Sequence, residues 1–385
     1  RLALRGYELD GYLNNVLSNQ DGPEREDVTA RGQLAFDATD NLTLTFKWER
    51  SEFESTQQST QLRITSPLTP ESSTTNDLNQ ALVAAATGGD GSERYDDERA
   101  VANDGGMLLG QVLPQFAGIP GFPDLEEGSD NEMDVGTFTI DWGLGEHTLT
   151  MVTGYAHYEY RDICDCDFAA LPLIQVDATE DYDQFSQEIR LASPGGETLD
   201  YIVGAYYHST DLAYRSKESF GTNLLSPIAP NVTRDYTFDQ EQDQWAIFGS
   251  ITWSLSDRVR TTLGLRYSEE TKEADHSLDK LFTGGWDFAS FGGGVYGNTA
   301  AEYDRFELEL PSLAPLLDGQ IWEDALGTFE HQIRNRERKE DFVSWSANLE
   351  YDASDEIMLF VTVSTGVKGG GFDARFLRRN NDPFF

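Results

Sequence analysis

The sequence predicts an all-β chain: an antiparallel, up-and-down β-barrel that crosses a membrane with its strands. Three observations carry this. β-rich runs come in pairs joined by tight turns, and long connections separate the pairs. The runs are roughly 10–15 residues long, whereas soluble strands average about five or six. At ~3.3 Å per residue and ~40° tilt, about 10–12 residues cross an apolar band. Finally, aromatic residues gather at both ends of the runs, as they do at the two interfaces of a membrane barrel.

Eleven strands are expected, near residues 1–12, 27–37, 41–53, 132–142, 146–161, 183–193, 198–215, 241–254, 257–272, 341–352 and 356–366. The turns are clusters of Asp, Asn, Ser, Gly and Pro: 37–41, 143–146, 193–197, 254–257 and 352–355. Within strands, apolar residues alternate with polar ones, as in Leu42-Thr43-Leu44-Thr45-Phe46-Lys47-Trp48-Glu49. This parity sends Leu44, Phe46, Leu263, Leu265, Ala347 and Leu349 to lipid. It sends Lys47, Glu49, Arg190, Arg260 and Arg266 to the lumen, with Thr45, Thr262, Ser346 and Asn348. Strands 146–161, 198–215 and 356–366 carry apolar residues at both parities, so their facing stays open. The last apolar residue before four of the five turns is aromatic: Phe36, Trp142, Trp253 and Tyr351. The fifth is Leu191, and Tyr155, Tyr158, Tyr207 and Tyr267 lie toward the opposite ends.

Short connections alternate strictly with long ones, so all short turns lie at one end and all long loops at the other. Outer-membrane barrels have that asymmetry, with short periplasmic turns and long extracellular loops. Residues 54–131, 162–182, 216–240 and 273–340 are therefore expected outside. Helix-like patterns at Asn76–Thr87 and Leu316–Arg338 fall within these loops.

Composition narrows the function classes. There are 28 Lys and Arg against 68 Asp and Glu, a formal charge of −40, which argues against a nucleic-acid or anionic membrane-surface partner. Forty-five aromatic residues argue against disorder: 7 Trp, 16 Tyr and 22 Phe. No apolar run reaches the ~18 residues of a spanning helix. The five histidines show no metal spacing, and no catalytic motif or cofactor motif is present. Cys164 and Cys166 are too few for a disulfide framework. A bond between positions i and i+2 is a strained pairing, so the segment reads as a structural loop feature. Gly369-Gly-Gly371 reads as a place of close backbone approach or a kink, and Gly292–Gly297 as no phosphate loop.

Thr365-Gly-Val-Lys-Gly-Gly-Gly-Phe-Asp373 resembles a Gly-Phe-Lys-Ser/Ala-Gly-Gly-Phe-Asn element of TonB-dependent outer-membrane receptors. Phe185–Pro194, Asp257–Tyr267 and Asp21–Asp27 resemble further elements of that family, in its sphingomonad- and Caulobacter-like branch. The resemblance implies that residues 1–385 are the middle of a 22-stranded barrel, about 11 of its strands, with the plug domain and last strands outside the chain. It also implies a transporter rather than an enzyme, in the outer membrane of a Gram-negative cell. The implied partners are the TonB complex acting through the plug, outer-membrane lipid or lipopolysaccharide, and a scarce small-molecule nutrient such as an iron–siderophore complex. Phe116, Phe122, Trp286 and Trp322 in the long loops are then the ligand-contact candidates. A passive porin-like channel and a secreted acidic β-protein are the competing readings. The start at Arg1 fits an internal piece of a longer protein.

Overall fold

The computed structural model describes residues 1–16, 20–56, 84, 88–89, 100–101, 127–166, 174–220, 231–283 and 330–372. Fourteen strands run through the described residues. They are β1 (Leu2–Leu9), β2 (Leu13–Asn15), β3 (Gln20–Gly22), β4 (Arg25–Thr39), β5 (Leu42–Thr56), β6 (Ala100–Val101), β7 (Gly128–Leu144), β8 (His147–Asp165), β9 (Ile174–Ala192), β10 (Leu199–Phe220), β11 (Asn231–Ser256), β12 (Val259–Thr283), β13 (Glu330–Ser354) and β14 (Ile357–Ser364). Eleven of them form one sheet in the order β1-β4-β5-β7-β8-β9-β10-β11-β12-β13-β14. Every neighbouring pair is antiparallel, so the sheet is an up-and-down meander, and it does not close. Strands β2, β3 and β6 make a separate small sheet.

All eleven expected strands are present. Several run longer than expected, up to 26 residues in β11. The extra length lies at the long-loop end, where β10 and β11 keep pairing as far as Phe220 and Val232. That shortens two of the expected loops to 166–173 and 221–230. The Leu316–Arg338 helix pattern is overturned over its last part, because β13 begins at Glu330 and pairs with β12 there. Cross-strand pairing with β12 overrides the local helical spacing there. Of Asn76–Thr87 only Ala84 is described, and its carbonyl accepts the Gly88 N–H at 2.9 Å, one helical turn.

The five turns fall where their chemistry requires. Gly145 opens the two-residue β7–β8 turn at φ 68°, and Gly196 lies in the β9–β10 turn at φ 90°, positions where other residues are strained. The Asn41 side-chain amide donates to the Gly143 carbonyl at 2.8 Å, joining neighbouring turns.

The sheet is inside-out relative to a soluble protein. Leu34, Ile247, Leu263, Leu265 and Val343 all lie on one face, and each is more than half exposed. Among the described residues the buried hydrophobic positions are Cys164, Tyr236, Phe238, Ala246 and Ala274 alone. An exposed apolar face across so many strands far exceeds what a soluble monomer shows, and it suits a lipid solvent. Register settles the strands with open facing. Met151, Tyr155, Val203, Tyr207, Val361 and Val363 all join the apolar face.

Two aromatic belts bound that face. Phe36, Trp142, Trp253 and Tyr351 stand at the turn end, while Trp48, Tyr155, Phe185, Tyr207 and Trp245 stand at the other. Tyr158 is a correction to the sequence reading: its even parity places it on the polar face, stacked on Tyr182. Trp245 and Trp253 are eight residues apart in β11. Eight residues span about 26 Å along the strand, and about 20 Å across the band at ~40° tilt. The long-loop belt is anchored in a regular way. Trp48 Nε1 donates to Asp134 at 3.1 Å, the Tyr155 hydroxyl to Asp183 at 3.1 Å, the Tyr207 hydroxyl to Asp243 at 2.5 Å and Trp245 Nε1 to Glu269 at 3.3 Å. Each ring thus has its apolar body in the band and its polar tip on a carboxylate just beyond it.

Gly136 makes the Trp48 position possible. Trp48 stacks on Tyr155 at 6.1 Å across the strand that carries Gly136, and a Cβ there would lie 2.8 Å from the indole ring. Gly136→Val is expected to displace Trp48 and lower stability by about 1–2 kcal/mol. The measurement is the urea midpoint of refolding into lipid vesicles; an unchanged midpoint would contradict the packing described.

Candidate functional site

The candidate site is the polar face of the sheet. Lys47, Glu49, Arg190, Arg260 and Arg266 all lie on it, opposite the apolar residues of their strands. They do not form one cluster. Lys47 and Glu49 sit with Arg31, whose Nε bonds Glu49 at 2.5 Å, and Lys47 Nζ lies 3.6 Å from Glu49. Arg260 sits near the turns, 3.1 Å from Glu350 and 3.3 Å from Asp352. Arg190 pairs with Glu188 at 3.3 Å. Arg266 lies over the rings of Tyr206 and Phe248, at 5.4 and 5.6 Å from their centroids. Phe116, Phe122, Trp286 and Trp322 lie outside the described residues, as does Gly292–Gly297.

The register assembles an aromatic wall that parity alone does not reveal. Tyr158 and Tyr182 are direct cross-strand partners and stack at 5.0 Å. The Tyr158 hydroxyl donates to Glu180, and the Tyr182 hydroxyl donates to Gln184 at 2.9 Å. Burial, then the bond to Glu180, raises the Tyr158 phenol well above its ordinary range, so it stays a protonated donor. On the next strand Tyr206 stacks on His208 at 6.2 Å. Nδ1 of His208 is buried and has no hydrogen-bond partner among the described residues. The wall therefore offers flat apolar faces, phenolic hydroxyls, an imidazole nitrogen and the Arg266 guanidinium to whatever occupies the space beside it.

A second cluster lies further along β12 and β13. Lys272 Nζ contacts Glu270 at 2.7 Å, and Arg338 contacts Glu340 at 2.6 Å. The chain after β14 folds onto this cluster: Lys272 donates to the Gly370 carbonyl at 2.8 Å, and the Gly370 N–H donates to Glu340 at 2.8 Å. A Cβ at Gly369 would lie 2.5 Å from Glu270, and one at Gly370 would overlap the Arg338 guanidinium. The glycine run is thus a close approach, as its composition implies. Arg338 first, then the Gly370 N–H, hold the Glu340 carboxyl below its usual range, so the contact is complete at neutral pH and released only in acid.

Cys164 and Cys166 form a disulfide at the end of β8, with Cα atoms 5.2 Å apart. The Asp165 N–H donates to Glu127 at 2.8 Å and the Cys166 N–H to the Ile174 carbonyl at 2.9 Å, so the bridge closes a pinned strand end. The sequence reading also names no metal-ligating histidine. The structure brings His157, Asp181 and Asp183 together, with their donor atoms within 4.8 Å of one another. His157 and Asp183 are 26 residues apart, and only the β8–β9 register pairs them.

Comparison with known proteins follows from this geometry. A search of curated protein sequences finds no match. Among solved structures, the chain is similar to the ferric yersiniabactin uptake receptor FyuA from Yersinia pestis, with 15% identity and a TM-score of 0.60, covering 97% of this chain and 43% of that one. It is similar to the open form of the ferric-catecholate import receptor Fiu from E. coli K12, with 10% identity and a TM-score of 0.55, covering 94% of this chain and 49% of that one. It is also similar to the siderophore receptor PiuA from Acinetobacter baumannii, with 11% identity and a TM-score of 0.53, covering 99% and 48%. At these identities the likeness shows the fold, and the chain spans less than half the length of each of these structures. The family model for the TonB dependent receptor-like β-barrel matches residues 77–385. The chain therefore belongs to the TonB-dependent receptor β-barrel family, whose members are transport receptors of the outer membrane.

Proposed function

We propose that this chain forms part of the barrel wall of an outer-membrane receptor that takes up a scarce nutrient, such as an iron–siderophore complex, at the expense of TonB-transmitted energy. The observation that carries the reading is the inside-out sheet. Its apolar face is exposed between two aromatic belts, and its other face is lined with charged and aromatic groups. The named relatives of like fold import ferric chelates, which supports this substrate class. In the intact receptor the polar face surrounds a plug. TonB acts through that plug, the long loops face outside, and lipopolysaccharide surrounds the outer half of the wall.

The Tyr158–Tyr182 and Tyr206–His208 stacks, with Arg266 beside them, suit a flat, anionic, aromatic chelate. Such a ligand stacks on the phenol rings and meets the guanidinium. The test uses an iron-55-labelled ferric catecholate bound to the intact receptor in detergent. Tyr158→Ala with Tyr182→Ala is expected to weaken binding by about tenfold, each ring contact contributing about 0.5–1.5 kcal/mol. Binding that is unchanged in the double variant would remove this wall from the ligand site.

A further inference from the structure

We propose that His157, Asp181 and Asp183 form a binding site for a divalent transition-metal ion on the outer wall, just beyond the long-loop aromatic belt. The site lies on the opposite face from the aromatic wall and is independent of the transported substrate. His157 Nδ1 lies 3.2 Å from Asp183 Oδ1 and 4.0 Å from Asp181 Oδ1. These are separations that an imidazole nitrogen and two carboxylate oxygens keep when they share three positions around one ion with bonds near 2.1 Å. An imidazole donor selects the zinc class over calcium or magnesium, which take oxygen ligands.

The set is also supported from behind, which separates it from an ordinary patch of acids. The Tyr155 hydroxyl donates to Asp183 Oδ1 at 3.1 Å and fixes that carboxylate, and Tyr155 is itself held by its stack on Trp48. On the far side of the ring, His157 Nε2 lies 3.8 Å from Glu159 Oε1. With Nδ1 on a metal, the remaining ring proton sits on Nε2, the side of the ring nearest the Glu159 carboxylate, although the two are not hydrogen-bonded in this structure. Both strands belong to a wall paired continuously from Thr148 to Asp165, so the donors are held in place before the ion arrives.

The surroundings attract a cation. On the same rung of the sheet Asp183 faces Asp211, which faces Glu241, which faces Glu273, while on the other side His157 faces Asp134, whose charge Arg50 offsets at 2.9 Å. Like charges directly opposite each other repel, and an ion held beside Asp183 offsets part of the repulsion along the acidic side of the rung.

The test needs no variant at first. The intact receptor in detergent is treated with diethylpyrocarbonate, with and without Zn2+, and each histidine is followed by mass spectrometry. His157 is partly exposed and reactive, with 27% of its side chain accessible. Zn2+ is expected to slow its modification and to leave His147, bonded to Tyr201 at the turn end, unchanged. Ca2+ at the same concentration is expected to have no effect. Equal reaction of His157 with and without Zn2+, or protection by Ca2+ as strong as by Zn2+, would overturn the site. Asp181→Asn replaces an exposed carboxylate with a neutral amide of the same shape, and it is expected to raise the Zn2+ concentration for half-protection about tenfold or more. An unchanged half-protection point would overturn the ligand set.

Discussion

Leu263→Arg is expected to destabilise the barrel in lipid by about 2 kcal/mol or more, whereas Thr262→Arg, one residue away, is expected to cost about 1 kcal/mol. The contrast follows from the pleat. Leu263 lies on the apolar face, 56% exposed, between Ile251 and Ala347 and between the two aromatic belts. An arginine there places its guanidinium in the hydrocarbon band, two residues inward of the Trp253 rung, where the cost is below its midplane maximum but well above that at the interface. Thr262 faces the other way, and its hydroxyl lies 3.0 Å from the Thr252 hydroxyl, with Asn348 as its other neighbour. An arginine there loses one hydrogen bond and remains in a polar space. Urea equilibrium refolding into vesicles, followed by tryptophan fluorescence and heat-shifted gel mobility, measures both values. Equal costs would mean that both faces see the same solvent, and the membrane reading would fail.

Much of the fold was legible because a strand's side chains alternate with period two and tight turns have their own chemistry. Asp257-Arg258 and Asp355-Glu356 close their hairpins at the last residue of the expected turns and the one after it, and Lys47, Arg190 and Arg266 fall on the face their parity gives. Three things were not legible. The strand extensions beyond the long-loop belt carry polar residues on both faces, as in Asp235-Tyr-Thr-Phe-Asp-Gln-Glu-Gln-Asp243, so alternation fades while pairing continues. Tyr158 was assigned to the belt by its distance along the chain, and its even parity puts it on the other face. The Tyr158–Tyr182 stack and the His157–Asp181–Asp183 cluster depend on which rungs of β8 and β9 meet. Register is a property of two strands together, and neither strand carries it alone.

Energy-dependent import is the central claim, and loss of TonB has the largest effect it predicts. The wall lined by Tyr158, Tyr182, Tyr206 and Arg266 binds the ligand in the proposed receptor, but binding alone does not move it against a gradient. In the proposed receptor the ligand passes only when TonB, drawing on the proton gradient, shifts the plug. A passive channel with the same wall has no such requirement. The most direct measurement is uptake of an iron-55-labelled ferric chelate by cells expressing the intact gene, with TonB present, with TonB deleted, and with the proton gradient collapsed. Surface binding, read on ice, is expected to persist in all three, while accumulation inside the cell falls to background in the last two. Accumulation that continues unchanged without TonB would contradict the receptor account and leave a passive porin in its place.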